Sequence, residues 1–153
     1  PSDYGLTELH AEIIAGNTGY SAVGRPPDHC VIKYNFDHAA FDRQPFVEFV
    51  KVPISDLKGA VEILEDMSTT SATYDIPWMD FLVPSIFIKD LDLDPHHWGH
   101  LYCSQFVLLF LRKCRKKNFL PLPEDRLVYL DSCKSETCTP THLRRMLDRI
   151  CKK

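Results

Sequence analysis

"HHWGHLYCSQFVLLFLRKC", residues 96–114, sets three histidines and a cysteine ahead of a dense apolar run. From about Tyr102 onward the stretch reads as a helix, with Phe106, Val107, Phe110, Leu111 and Cys114 on one buried face. Cys103 then falls in the first turn and Gly99 in the loop before it. A thiol at that place meets the unpaired N–H groups and positive end of the helix, which favour thiolate over thiol. A neighbouring imidazolium would add to the effect. The bland alternative is a buried, inert cysteine. The rest of the chain has to decide between them.

A chain of 153 residues fits one domain, 1–153, with enough length for a core. It opens on Pro1 rather than Met, which reads as a domain excised from a longer protein. The formal net charge of −3 leaves no basic surplus to neutralise phosphates, so no nucleic-acid partner is expected. The longest apolar run, Phe106 to Leu111, is too short to span a bilayer, and no transmembrane segment or signal peptide is expected. Six cysteines stand at irregular spacing in a chain with ample core residues. They read as mostly reduced, which places the protein in an intracellular, cytoplasmic setting.

Hydrophobic patterning gives a mixed chain. "LTELHAEIIAGN" reads as a helix, or as a short strand over "AEIIA", and "NTGYSAVGRPPD" as a Gly/Pro-rich loop. "HCVIKYNF" (29–36) and "FVEFVKV" (46–52) read as strands, with "DHAAFDRQP" between them a turn or short extra strand. Ser55 is the expected cap of a helix carrying Leu57, Val61, Leu64 and Met67. "RLVYLDS" reads as a strand. Thr139 and Pro140 start a last helix with Leu143, Met146, Leu147 and Ile150 on its apolar stripe. The class is α+β, a small antiparallel sheet packed against helices.

Zinc is the first chemistry to weigh. His97, His100 and Cys103 recur every three residues, and Cys133 and Cys138 could complete a tetrahedral set. Gly99 between the two histidines and the five-residue step from Cys133 to Cys138 both argue against it, so neither metal nor cofactor is assigned. For a thiol nucleophile the missing part is a base. His29, opening a strand after the Gly/Pro loop, suits that role, because a strand start is held rigidly and still meets solvent. His10 and His142 read as surface histidines.

The histidine strand "DHCVIKY", then "TYDIPW", "YCSQFVLLFLRK" and "TCTPTHLRRML" together resemble the permuted branch of the NlpC-like, papain-fold superfamily. That branch includes lecithin:retinol acyltransferase-like enzymes, related phospholipase/acyltransferases, bacterial hydrolases and poxvirus-type members. The match runs from about residue 12 to residue 150. It implies a circularly permuted papain-like fold with Cys103 as nucleophile and His29 as general base. It further implies Tyr74 beside the site as an oxyanion donor, with a backbone N–H at the cysteine as the other. Trp98 and His100 would contact substrate from the insert "IKDLDLDPHHWGH". The chain departs from the family where the usual "GD" before the first strand is Ala11-Glu12.

The residue that orients the histidine stays open between two positions. Aligning "DHAA" with the family's "HA" picks His38. A hairpin with Asn35-Phe36 at its bend pairs position 29 with Asp42, a carboxylate suited to stabilising imidazolium. The expected function is a cysteine-dependent hydrolase acting on a peptide, isopeptide or acyl substrate through an acyl-enzyme, with amide bonds first. "Y-C-S-Q-F" in place of the acyltransferases' "N-C-E-H-F" tilts the choice away from lipid acyl transfer. The rival from another class is a non-catalytic interaction domain in which Cys103 is a core residue.

Overall fold

The computed structural model describes residues 10–23, 30–41, 47–69, 96–134 and 138–151, with the backbone alone for 23, 30, 41, 69 and 96–102. Three strands, β1 (Ile13–Ala15), β2 (Thr18–Val23) and β3 (Cys30–Asn35), form one antiparallel sheet in the order β1-β2-β3. Among the described residues five helices follow: α1 (His38–Phe41), α2 (Leu57–Thr69), α3 (His96–Lys116), α4 (Glu124–Ser132) and α5 (Pro140–Cys151). The expected α+β class is therefore found.

The middle strand is where the sequence misleads. "NTGYSAV" reads as loop because of its glycines, yet Thr18–Val23 pairs on both sides, with Ile13↔Tyr20 on β1 and Tyr20↔Lys33 on β2–β3. Gly16, at φ 62°, supplies the left-handed turn between β1 and β2 that a side chain would disfavour. Tyr20 and Ala22 alternate into the core at 1% exposure each, as a period of two requires.

The helices start and stop on identifiable residues. Asp56, not Ser55, caps α2: its Oδ1 accepts the Gly59 N–H at 2.9 Å. Thr139 Oγ1 accepts the His142 N–H at 3.2 Å, with Pro140 in the first helical position of α5, as expected. α3 ends in a Schellman turn, Phe119 N–H to the Cys114 carbonyl at 2.9 Å and Asn118 N–H to Arg115 at 3.1 Å. Asn118 takes the left-handed position there, at φ 60°.

α3 packs against β2, α2 and α5, and α2 against β3, so α3 is the spine of the core. Its Phe106, Leu108, Leu111 and Cys114 meet Leu64, Leu130, Met146 and Ile150 from the other helices. On the outer side of α2, Tyr20 Oη donates to Glu65 and Lys33 Nζ lies 2.5 Å from the same carboxylate, fastening helix to sheet.

Three other expectations fail. "RLVYLDS" is not a strand but most of α4: Glu124 and Asp125 occupy the first turn, and Leu127 and Leu130 bury one face three residues apart. Val128, between them in the apparent alternation, is 55% exposed. Residues 47–52 of "FVEFVKV" run without strand pairing, and the short element after β3 is the helix α1.

Candidate functional site

β1 is preceded by His10, Ala11 and Glu12, and continuing the β1–β2 register sets position 12 opposite Ser21. Side chains two residues apart on extended backbone share a face, so His10 and Glu12 come out together beside Ser21. The His10 Nε2 stands 3.0 Å from Glu12 Oε1 and 2.9 Å from Ser21 Oγ. From β3, the Tyr34 hydroxyl donates to Glu12 Oε2. From α3, Cys103 is the group that weighs most on the charge of the His10 ring.

The electrostatics follow from these contacts. The hydrogen bond to Cys103, and after it the one to Glu12, outweigh desolvation and push the His10 imidazolium up to about 10 from an ordinary 6.5. Burial alone would raise the Glu12 carboxyl. Hydrogen bonds from His10, Tyr34 and Ser21 overcome it and hold the group below its ordinary value. Burial, with the Glu12 hydrogen bond, pushes the Tyr34 phenol up, so it stays a donor. Cys103 itself exposes no surface, whereas 44% of the His10 side chain is exposed. Solvent therefore reaches the pair from the imidazole side.

Cys103 is the eighth residue of α3, because the helix begins at His96. It is not in the first turn, and Gly99 and the histidines at 96, 97 and 100 belong to the helix rather than to a loop. At two turns' depth the Cys103 N–H belongs to the helix's own i→i−4 ladder. A backbone oxyanion donor at the cysteine, which the family resemblance implied, is therefore not offered by this geometry.

His38 lies on α1 with its Nε2 2.8 Å from the Gly16 carbonyl, and its ring meets Phe36 edge-on. Gly16 is the hairpin turn, five residues along the chain from Ser21, on the order of 15 Å at the rise of an extended strand. His38 thus sits at the hairpin turn, and His29, which it was expected to orient, lies outside the described residues. His29, Asp42 and Tyr74 lie outside the described residues, as do the side chains of Trp98 and His100. Cys103, Cys114, Cys133, Cys138 and Cys151 are all free thiols. Among the described residues no group of three or more His, Cys, Asp or Glu could hold a metal ion, and no helix is long and apolar enough to cross a membrane.

No family model, curated protein or solved structure matches this chain. The site has to be argued from its own geometry. His10 was the residue that sequence reasoning missed, and one signal could have found it. In "HAEII" the alternation puts His10 and Glu12 on the same face, ahead of a strand, which is how a carboxylate is set beside an imidazole.

Proposed function

We propose that the protein is a cysteine-dependent hydrolase in which Cys103 is the nucleophile, His10 its proton partner and Glu12 the group that orients His10. The observation that carries the reading is the His10 ring, held 3.0 Å from the Glu12 carboxylate and 2.9 Å from Ser21 Oγ, with its charge raised most strongly by Cys103. A carboxylate that fixes and stabilises an imidazolium next to a thiol is the arrangement thiol hydrolases need.

The steps follow from the groups present. The Cys103 sulfur attacks a carbonyl carbon, and His10 delivers its proton to the leaving amine as the C–N bond breaks. A thioester acyl-enzyme remains. Water then gives a proton to His10 and attacks the thioester, which releases the acid and restores the pair. Ser21 Oγ, 2.9 Å from the ring, helps hold it in place. Amide or isopeptide bonds are the first choice of substrate, and lipid acyl esters the second. The α+β architecture, with a helix-borne cysteine packed on an antiparallel sheet, supports a papain-like arrangement in permuted order. In that family pattern His29 is the base; the contact with Cys103 supports His10 instead.

The complete burial of Cys103 favours one rival, a non-catalytic interaction domain with the thiol as a core residue. Incubation with peptide, isopeptide and acyl-ester panels, followed by intact-mass analysis, separates the two. The hydrolase reading predicts turnover, with an acyl adduct on Cys103 that Cys103→Ala abolishes while folding is kept. No adduct and no turnover from any panel would favour the rival.

A further inference from the structure

Gly19 and Tyr34 are directly opposed in the β2–β3 ladder. A Cβ on Gly19 would stand 2.4 Å from Tyr34 Cζ and 2.6 Å from Cε1, closer than real side chains approach. The Tyr34 ring therefore lies across the middle strand, in the space a side chain at position 19 would fill. Its hydroxyl reaches past β2 to Glu12 Oε2, while Glu12 Oε1 holds the His10 ring. By the β1–β2 and β2–β3 registers, Glu12, Gly19, Ser21 and Tyr34 share one face of the sheet, opposite Tyr20 and Lys33.

We propose that Gly19 and Tyr34 are positioning residues for the Cys103–His10 pair: the missing side chain at Gly19 admits the Tyr34 ring, and the Tyr34 hydroxyl fixes Glu12 so that its other oxygen stays on His10. The proposal rests on the thiol-hydrolase reading above. A glutamate carboxylate, carried on three side-chain torsions just ahead of an edge strand, has rotamers to spare, and a second hydrogen bond removes that freedom. Hydrogen bonding to the charged form also keeps Glu12 ionised to lower pH.

Among the described residues the groups that face Glu12 are His10 from its own segment, Ser21 from β2, Tyr34 from β3 and, through His10, Cys103 from α3. Lys33 and Glu65 form a separate cluster with Tyr20. The test follows Cys103 alkylation rate against pH in the full chain, by mass spectrometry, for wild type, Tyr34→Phe, Gly19→Ala, Tyr34→Ala and the Gly19→Ala/Tyr34→Ala double variant. Tyr34→Phe keeps the ring and removes only the hydroxyl. Its acid limb should move to higher pH, because Glu12 loses a hydrogen bond to its charged form and protonates earlier. Gly19→Ala should do the same with tyrosine still present. In the Tyr34→Ala background, where no ring is left to displace, Gly19→Ala should add no further shift.

A Tyr34→Phe profile that overlays wild type, with His10→Ala still abolishing rapid alkylation, overturns the proposal and leaves the hydrolase reading standing. Undiminished alkylation in His10→Ala overturns both. Should Gly19→Ala fail to fold, Tyr34→Phe alone decides the matter.

Discussion

The protonation of His10 can be taken apart by substitution. Its ring is held up to about 10, first by Cys103 and second by Glu12. With 44% of the side chain in water, solvent screening holds its contribution to folding stability to about 1 kcal/mol or less. The sign is that of a raised group: the contribution is present in full below about pH 6.5 and is lost as pH rises through about 10. The assay is an NMR titration of the histidine Cε1–Hε1 resonances, with His10 assigned by His10→Gln. Wild type should titrate near the top of the accessible range. Cys103→Ser should lower the midpoint more than Glu12→Gln does, since the thiol makes the larger contribution. A wild-type midpoint near 6.5, or one indifferent to Cys103→Ser, would refute the reasoning.

Four further outcomes are expected. Leu130→Ala, at a fully buried core position, should cost about 2–5 kcal/mol in urea unfolding. Thr139→Ala should cost about 1 kcal/mol through loss of the α5 cap, and Thr139→Ser should largely restore it. Gly59→Ala should destabilise by about 1 kcal/mol despite better helix propensity, because the new Cβ would stand 2.5 Å from Phe119 Cε2; a stabilised variant would show that Phe119 yields freely. Burial pushes Cys114 up to about 11 and, with a nearby Cys133, Cys138 up to about 12, so peptide mapping after brief iodoacetamide treatment at pH 7.5 should find both unmodified.

The helices were legible where their burial is one-sided. α2 and α5 carry apolar residues at helical spacing, and Thr139-Pro140 announces the start of α5. α3 was legible only in its apolar half, because Gly99 and the polar residues before Tyr102 hide two further turns. Local pattern misled where tertiary demands override it. β2 contains Gly19 because Tyr34 crosses above it, and that reason lies on another strand. α4 carries strand-like residues but is held as a helix by its acidic first turn and the burial of Leu127 and Leu130.

The nucleophile candidate was visible and its partner was not. Cys103 stands out in the sequence just ahead of a dense apolar run, whereas a single histidine near the start of the chain carries no motif. His10 becomes a candidate only once the sheet sets Glu12, Ser21 and Tyr34 around it and α3 brings Cys103 to its ring.

The central claim is that Cys103 and His10 act as one unit, and cysteine-resolved alkylation against pH tests it most directly. Wild type, His10→Ala and His29→Ala would be compared by mass spectrometry, with circular dichroism confirming that each is folded. The account predicts rapid modification of Cys103 below pH 7 in wild type and in His29→Ala, and its loss in His10→Ala. Rapid modification that survives His10→Ala and disappears in His29→Ala would contradict it, and so would a Cys103 that stays inert in all three.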